Sequence, residues 1–266
     1  MTYHFFDYKY NIEGYNGQHY GSAYQTFYLI ATVVIAFALA FLLRKVKKET
    51  VKKSVGIIGI ALTALYIIKT IWESHYDVAT DRGFNTSLLP FDTCSIIMWA
   101  ALIYGFCDGF FADWAKKWIV SLGFAGGFAN ALFLQGLRYY PFFTFGAFYS
   151  MIWHAAMIFL AWWLLLSGDV RPKFSDTLRA CGFHAVFSVL PIAINFSVSH
   201  MNWMLYDDAG GVPIIEELCK PYANTPIATV IMALAYVLIT FLLFCVYIFI
   251  SFISKKVKTL FCKTAN

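Results

Sequence analysis

Residues 226–253 read PIATVIMALAYVLITFLLFCVYIFISFI, an unbroken apolar run without one charged side chain. A water-soluble core does not need such a run, whereas a helix requires about 20 predominantly apolar residues to cross a hydrocarbon layer ~30 Å thick. Similar runs recur upstream, and together they predict seven helices at about 24–43, 54–76, 89–106, 115–135, 147–167, 181–200 and 226–253. Hydrophobic residues make up 60% of the chain and charged residues 13%, the composition of a polytopic membrane protein. The runs are too long and continuous for the alternating strands of a barrel, so each span must close its backbone hydrogen bonds as a helix. The expected fold is all-α, a seven-transmembrane-helix bundle. No internal repeat or long linker divides it, so residues 1–266 read as a single integral membrane domain.

Lysine and arginine set the orientation. With the N-terminus outside, the inner segments hold Arg44, Lys45, Lys47, Lys48, Lys52, Lys53, Lys116, Lys117, Arg171, Lys173, Arg179, Lys255, Lys256, Lys258 and Lys263. The outer segments hold Lys9, Arg82, Arg138 and Lys220. That bias predicts an N-outside, C-inside multi-pass protein of the cell membrane, with residues 254–266 as a basic inner tail. The net charge of +5 then describes anchoring to anionic lipid, and no basic stripe suited to nucleic acid lies on a soluble segment. The first 23 residues are aromatic and polar and lack the three-part pattern of a cleaved signal, so the first span is expected to direct insertion itself. Cys94 and Cys219 fall on the outer side, and a bridge between them stays open at this point. Such a bridge would silence the Cys94 thiol. Asn85, Thr86 and Ser87 form an outer-side glycosylation sequon, relevant only in a secretory-pathway host.

Intramembrane polar residues concentrate toward the outer face: Glu73, Asp92, Cys94, Asn130, His154, Asn195 and His200, from five spans. A carboxylate or imidazole in a span is costly enough that function or a buried cavity is the default reading. Counting helix rise from the outer ends places Cys94 and His154 at similar depth, ~8–10 Å in. Plain structural roles compete at each position. Lys69 precedes Glu73 by one turn on the same face, which suits an ion pair. Gly123, Gly126 and Gly127 allow close helix contact beside Asn130, which suits an interhelical hydrogen bond. Asn195 follows Pro191 and can satisfy a carbonyl freed by the proline. His184 and His200 lie near span ends, where a hydrated histidine is expected.

The segment Leu88-Leu89-Pro90-Phe91-Asp92-Thr93-Cys94 is the sharpest local signal. Proline suits a first helical position, so a helix is expected to start at Pro90, with Asp92 in its first turn and Cys94 just beyond. A helix N-terminus and a histidine partner both favour a thiolate, while burial and Asp92 oppose it. No His-Glu-x-x-His, Cys-x-x-Cys or His-x-x-x-His spacing is present, so no metal site or cofactor is expected.

These residues resemble the YwaF-type bacterial integral membrane proteins and their eukaryotic relatives, the transmembrane protein 164 family. The resemblance rests on Glu73, on Leu89-Pro90-Phe91-Asp92-Thr93-Cys94 set against a Leu-Pro-Leu-His-Leu-Cys motif, on His154, and on Asn202-Trp203-Met204-Leu205 set against Asn-Tyr-Met-Leu. It implies a seven-helix fold and, from the eukaryotic branch, a cysteine-dependent acyltransferase moving acyl chains between phospholipids. Cys94 matches that branch's cysteine and His154 its histidine. The chain departs from the pattern at Asp92, where the family has histidine.

The expected function is therefore acyl transfer on a phospholipid or another acyl-lipid ester, from an outward-facing cavity. His154 deprotonates Cys94, Glu73 orients His154, and Asn195 or Asn202 stabilises the oxyanion. Asp92, Asn130, Asn195 and Asn202 line the substrate cavity in this reading, with membrane lipids as substrate or ligand. A non-enzymatic carrier uses the same polar pocket in the rival reading, with Lys69, Glu73 and Asp92 coupling a proton or cation. A seven-helix receptor has the span count but no other support.

Overall fold

The computed structural model describes residues 4–8, 23–79, 89–133, 140–197, 204 and 215–264. Among these, every regular element is helical, and seven helical bodies follow the predicted runs. Helix α1 is Ala23–Lys45, α2 Lys48–Ala79, α3 Thr93–Phe106, α4 the continuous run Phe110–Trp118, Ile119–Gly123 and Phe124–Phe133, α5 Phe145–Leu166, α6 Asp176–Ser197 and α7 Pro226–Thr264. A short helix, Ile215–Cys219, precedes α7. Five of the seven, α1, α2, α5, α6 and α7, are long and apolar enough to cross a membrane. The chain is an integral membrane protein.

The two remaining bodies depart from the sequence reading. Helix α3 starts at Thr93, three residues after Pro90, and is one of the shorter apolar helices. Asp92 is extended (φ −71°, ψ 151°) and occupies the N-cap without a side-chain capping bond. Helix α4 carries Asp113, Lys116 and Lys117 in its first half. Other boundaries shift outward because helix continues into polar sequence: α2 begins at Lys48 rather than 54, α6 at Asp176 rather than 181, and α7 runs to Thr264 rather than 253. Asp176 explains its own boundary, since its carboxylate accepts from the Lys173 amide at 2.9 Å and stabilises the first turn.

Helix α5 is the axis of the bundle. Its apolar stretch is 56% buried, against 17% in α7, and it packs on α1, α2 and α4. Helix α6 packs on the first half of α4 and on α7. Helices α2 and α3 form the closest pair, because glycines face each other. A Cβ on Gly105 would lie 2.2 Å from the Gly56 Cα, and one on Gly59 2.9 Å from the Leu102 amide nitrogen. Small residues at such a contact let backbones approach where lipid supplies no hydrophobic drive.

Two helices contain π turns, Ile30–Ile35 in α1 and Ile119–Gly123 in α4. A widened turn shifts the backbone ladder, and nearby hydroxyls bond carbonyls there: Thr32 donates to the Tyr28 carbonyl at 2.7 Å and Ser121 to that of Lys117 at 2.8 Å.

Charged residues gather at one end of the bundle. Lys52 meets Asp108 at 2.5 Å, Lys117 meets Asp176 at 3.2 Å, and Arg179 meets Asp113 at 2.7 Å. At the opposite end, residues 4–8 dock on α2 and α5. The Trp72 indole donates to the Phe6 carbonyl at 2.9 Å, the Phe145 amide donates to Phe5 at 2.6 Å, and Tyr8 packs edge-on against Tyr140.

Gly105→Ala forces α2 and α3 apart, since the new methyl meets backbone and not a movable side chain. The expected cost is about 1–3 kcal/mol, read as a lower melting temperature of the purified protein in detergent. An unchanged melting temperature would show that the two backbones do not touch at this glycine pair.

Candidate active site at the junction of three helices

The sequence-predicted residues separate into two groups. Glu73 is buried (5% exposed) and belongs to a closed network: Lys69, one turn earlier, pairs with it, and the Tyr140 hydroxyl donates to its Oε1 at 2.5 Å. The Lys69 ammonium also lies 5.7 Å from the Tyr149 ring and 5.9 Å from the Tyr66 ring. The ion pair weighed against a catalytic role is present, and no hydrogen bond joins Glu73 to His154.

His154 is buried on α5, nine residues beyond Phe145. Its Nδ1 lies 2.7 Å from the Ser150 carbonyl oxygen, which can only accept. Nδ1 therefore carries the proton, and Nε2 keeps the lone pair of a general base. Ser150 Oγ at 3.4 Å and the Tyr28 hydroxyl at 3.5 Å surround the same nitrogen. Tyr28 in turn donates to Asn130 Oδ1 at 3.1 Å. Asn130 thus makes an interhelical bond from α4 to α1, and its partner Tyr28 stands beside the imidazole.

Cys94 meets this group from the side of α3. The indole of Trp153, the residue before His154, donates to the Cys94 carbonyl at 3.1 Å and ties the first turn of α3 to α5. On α4, a Cβ at Gly126 would lie 3.6 Å from Cys94 Sγ, and a Cβ at Gly127 would lie 3.0 Å from the His154 carbonyl oxygen. The thiol and the His154 backbone carbonyl therefore flank adjacent glycines of one helix, and no hydrogen bond joins Sγ to the imidazole. Cys94 is a free thiol, so the Cys94–Cys219 disulfide left open by the sequence is not formed.

The late start of α3 alters the surroundings of the thiol. Cys94 is the second residue of the helix, and the first turn closes with the Ser95 amide donating to Asp92 at 2.9 Å. The Thr93 and Cys94 amides precede that bond, as the open donors of a helix N-terminus do. Asp92 is exposed and Cys94 half-buried while Ser95, Ile96 and Ile97 are buried, so this end of α3 opens onto accessible space. The earlier depth estimate does not hold for Cys94, because residues 89–92 are not helical and do not advance by helix rise.

Asn195 is buried on α6 and makes none of the hydrogen bonds around His154. Asn202 and His200 lie outside the described residues. His184, expected to be hydrated, is instead buried at 4% exposure: the Trp118 indole donates to its Nδ1 at 3.4 Å and Tyr236 packs 4.4 Å from its ring. Helix α6 begins five residues earlier than expected, which moves position 184 inward from the helix end. Tyr236 also holds α3, donating to the Met204 carbonyl at 2.8 Å and bonding Thr93 Oγ1 at 2.9 Å.

Sequence reasoning missed Tyr28, Ser150, Trp153 and Tyr236. Ser150 carried a readable signal, one turn before a histidine on a helix. The two tyrosines and the tryptophan sit in aromatic-rich spans where nothing local distinguishes them.

Set against known proteins, residues 16–252 match the model of the TMEM164 family. No curated protein sequence and no solved structure matches the chain.

Two alanine substitutions on α4 separate packing from chemistry. Gly127→Ala meets the His154 carbonyl and the Met157 Cβ, both at 3.0 Å, and should cost about 1–3 kcal/mol of stability. Gly126→Ala meets only the Met157 Cε at 3.2 Å and the Cys94 thiol at 3.6 Å, so the fold should tolerate it while alkylation of Cys94 slows. Equal melting temperatures for the two variants would contradict the placement of α4 against α5.

Proposed function

The chain belongs to the TMEM164 family, and on that premise we propose that it is a membrane acyltransferase that moves an acyl chain from a phospholipid or another acyl-lipid ester through Cys94 and His154. The observation that carries this reading is the fixed tautomer of His154: with Nδ1–H held by the Ser150 carbonyl, Nε2 remains a base at the three-helix junction that also holds a free thiol. The activity implied by the sequence resemblance needs that pair.

In the proposed reaction Nε2 takes the thiol proton, and the Cys94 thiolate attacks the ester carbonyl of the donor lipid. The amides of Thr93 and Cys94, at a helix start with its partial positive charge, receive the oxyanion. The intermediate collapses to a thioester as the lyso-lipid alkoxide leaves with the proton from His154; an acceptor hydroxyl then attacks the thioester with His154 again as base, and the C–S bond breaks to release the Cys94 thiolate, which regains the proton from His154. Ser150 takes the orienting role first assigned to Glu73. Glu73, with Lys69 and Tyr140, braces the neighbouring wall. Asp92, exposed beside Cys94, contacts the substrate. Asn130 acts through Tyr28, and Asn195 and Asn202 remain proposed contributors to the cavity.

We read the seven helical bodies as seven spans of a cell-membrane protein, N-terminus outside. Helix α3 is short and is entered through a tight turn in which the Phe91 amide donates to the Leu89 carbonyl at 2.8 Å. The basic ends of α2, α4 and α6 share one end of the bundle, which supports placing that end inside.

Cys94→Ala should abolish acyl transfer, and Cys94→Ser should be nearly as weak because a hydroxyl is far harder to deprotonate. His154→Ala should slow transfer by about 10²–10⁴-fold. The double variant should be little worse than either single one, as expected for groups that act together. The check is mass spectrometry of lipids exchanged by purified protein, with the rate of Cys94 alkylation by a hydrophobic electrophile followed from pH 5 to 9. Coincident alkylation profiles for wild type and His154→Ala would remove His154 as the base. Unchanged lipids together with Cys94-independent solute uptake would favour a carrier.

Topology has its own test. In a cysteine-free background, Tyr222→Cys should react with an impermeant maleimide on intact cells and Phe174→Cys should not; both positions are exposed, at 42% and 59%. The reverse pattern would move the proposed site to the inner leaflet.

A further inference from the structure

We infer that Tyr236 of α7 is a positioning residue for acyl transfer: its hydroxyl fixes Thr93, and through Thr93 it aims the Thr93 and Cys94 amides at the oxyanion. The inference rests on the acyl-transfer reading for the identity of that oxyanion. Donor and acceptor roles come first. A tyrosine hydroxyl carries one proton, and the Met204 carbonyl, 2.8 Å from Tyr236 Oη, can only accept it. The 2.9 Å bond between Thr93 Oγ1 and Tyr236 Oη is therefore donated by Thr93. The hydroxyl of the residue that begins α3 is thus held in one direction, toward α7.

The tyrosine can serve as an anchor because it is itself held from several sides. Its ring packs 4.4 Å from that of His184, which the Trp118 indole fixes in turn, and the Thr240 hydroxyl donates to its carbonyl at 2.7 Å. Met204, the acceptor, is buried and adopts a φ of 57°, a region that bulky residues rarely take. Such a conformation persists only where the surrounding structure holds it, so the direction of its carbonyl is set in advance. Register explains why α7 reaches the site at this residue. Its buried positions Ala228, Met232, Tyr236, Thr240, Phe244 and Tyr247 recur at intervals of three or four, one narrow face of a helix that is mostly exposed.

A second tether meets the same turn. Trp153 of α5 donates to the Cys94 carbonyl at 3.1 Å, so the first turn of α3 is held from α7 through a side chain and from α5 through the backbone. The peptide that carries the Cys94 amide lies between those two anchored groups. Its direction is fixed before a substrate arrives. Donors held in place in this way stabilise a developing oxyanion because the reaction needs no reorganisation of them.

The test compares two reactions of Cys94 in the purified full-length protein, each counted at that residue by mass spectrometry. A p-nitrophenyl ester acylates the thiolate through a tetrahedral oxyanion and releases p-nitrophenolate, whereas iodoacetamide alkylates it by displacement of iodide, with no oxyanion. The ratio of the two rates reads the amides separately from the thiol. Tyr236→Phe should lower the acylation-to-alkylation ratio about tenfold, within the ~10²-fold that a misplacement of 1 Å can cost, and leave alkylation unchanged. Thr93→Val removes the same bond from its other end and should act alike, with the double variant no worse than either single one. Tyr247→Phe is the control: it deletes another tyrosine bond of α7, to the Val120 carbonyl at 2.9 Å, and should keep the wild-type ratio. An unchanged ratio in Tyr236→Phe, an equal loss of alkylation, or an equal effect in Tyr247→Phe would overturn the inference. If Tyr236→Phe does not fold, Thr93→Val decides by the same readout. A ratio that falls as expected in a protein that exchanges no lipid acyl chains would sink the acyltransferase and keep the positioning role. Cys94-dependent lipid exchange with an unchanged ratio would do the opposite, and a Cys94 that is alkylated but never acylated would overturn both.

Discussion

A polar group carried into hydrocarbon is costly unless the chain itself satisfies it, and much of the structure follows from that cost. Hydroxyls turn back onto carbonyls one turn earlier: Thr32 to Tyr28, Thr63 to Gly59, Ser121 to Lys117, Ser188 to His184 and Thr240 to Tyr236, all at 2.7–2.8 Å. Aromatic donors do the same between helices. Trp153 bonds the Cys94 carbonyl, Trp163 that of Leu43 at 3.0 Å and Tyr247 that of Val120 at 2.9 Å. Each interhelical bond adds one specific contact in a medium where apolar surface alone does not choose between helix faces.

The same requirement sorts the candidate residues into structure and chemistry. Glu73 has a cation and a phenol, and a carboxylate satisfied in this way is poorly placed to serve a second partner. His154 is satisfied on one nitrogen only. Ser150 and Tyr28 crowd Nδ1, and Nε2 is left for a proton. Cys94 needs no strong partner as a neutral thiol, which lets it sit at a helix start beside a glycine face without structural cost. A polar side chain with unused capacity beside accessible space is a better pointer to function than a polar side chain alone.

Backbone geometry does as much as side-chain chemistry. Gly126 and Gly127 bring α4 against the histidine, while Gly56 and Gly105 press α2 onto α3. The π turns fall on the two helices that supply Tyr28 and Asn130, and the first begins two residues after Tyr28. Tyr236 then pins Thr93 from α7, and the residue next to it is the proposed nucleophile.

By itself the sequence determined the all-helical class, the membrane setting and the approximate helix positions, because a run such as 226–253 has no stable alternative in water. It also singled out Cys94 and His154 as costly or reactive groups and Lys69 as the i−4 neighbour of Glu73, since local spacing on a helix is enough to read such pairs. Tertiary structure alone decided the start of α3 at Thr93, the burial of His184 and the meeting of Tyr28 with Asn130 and His154. Those contacts join residues 102 and 126 positions apart, and their geometry depends on helix rotation, glycine contacts and π turns. An apolar run leaves the rotation of its helix undetermined, because lipid accepts every apolar face equally. Only packing against the other helices selects one.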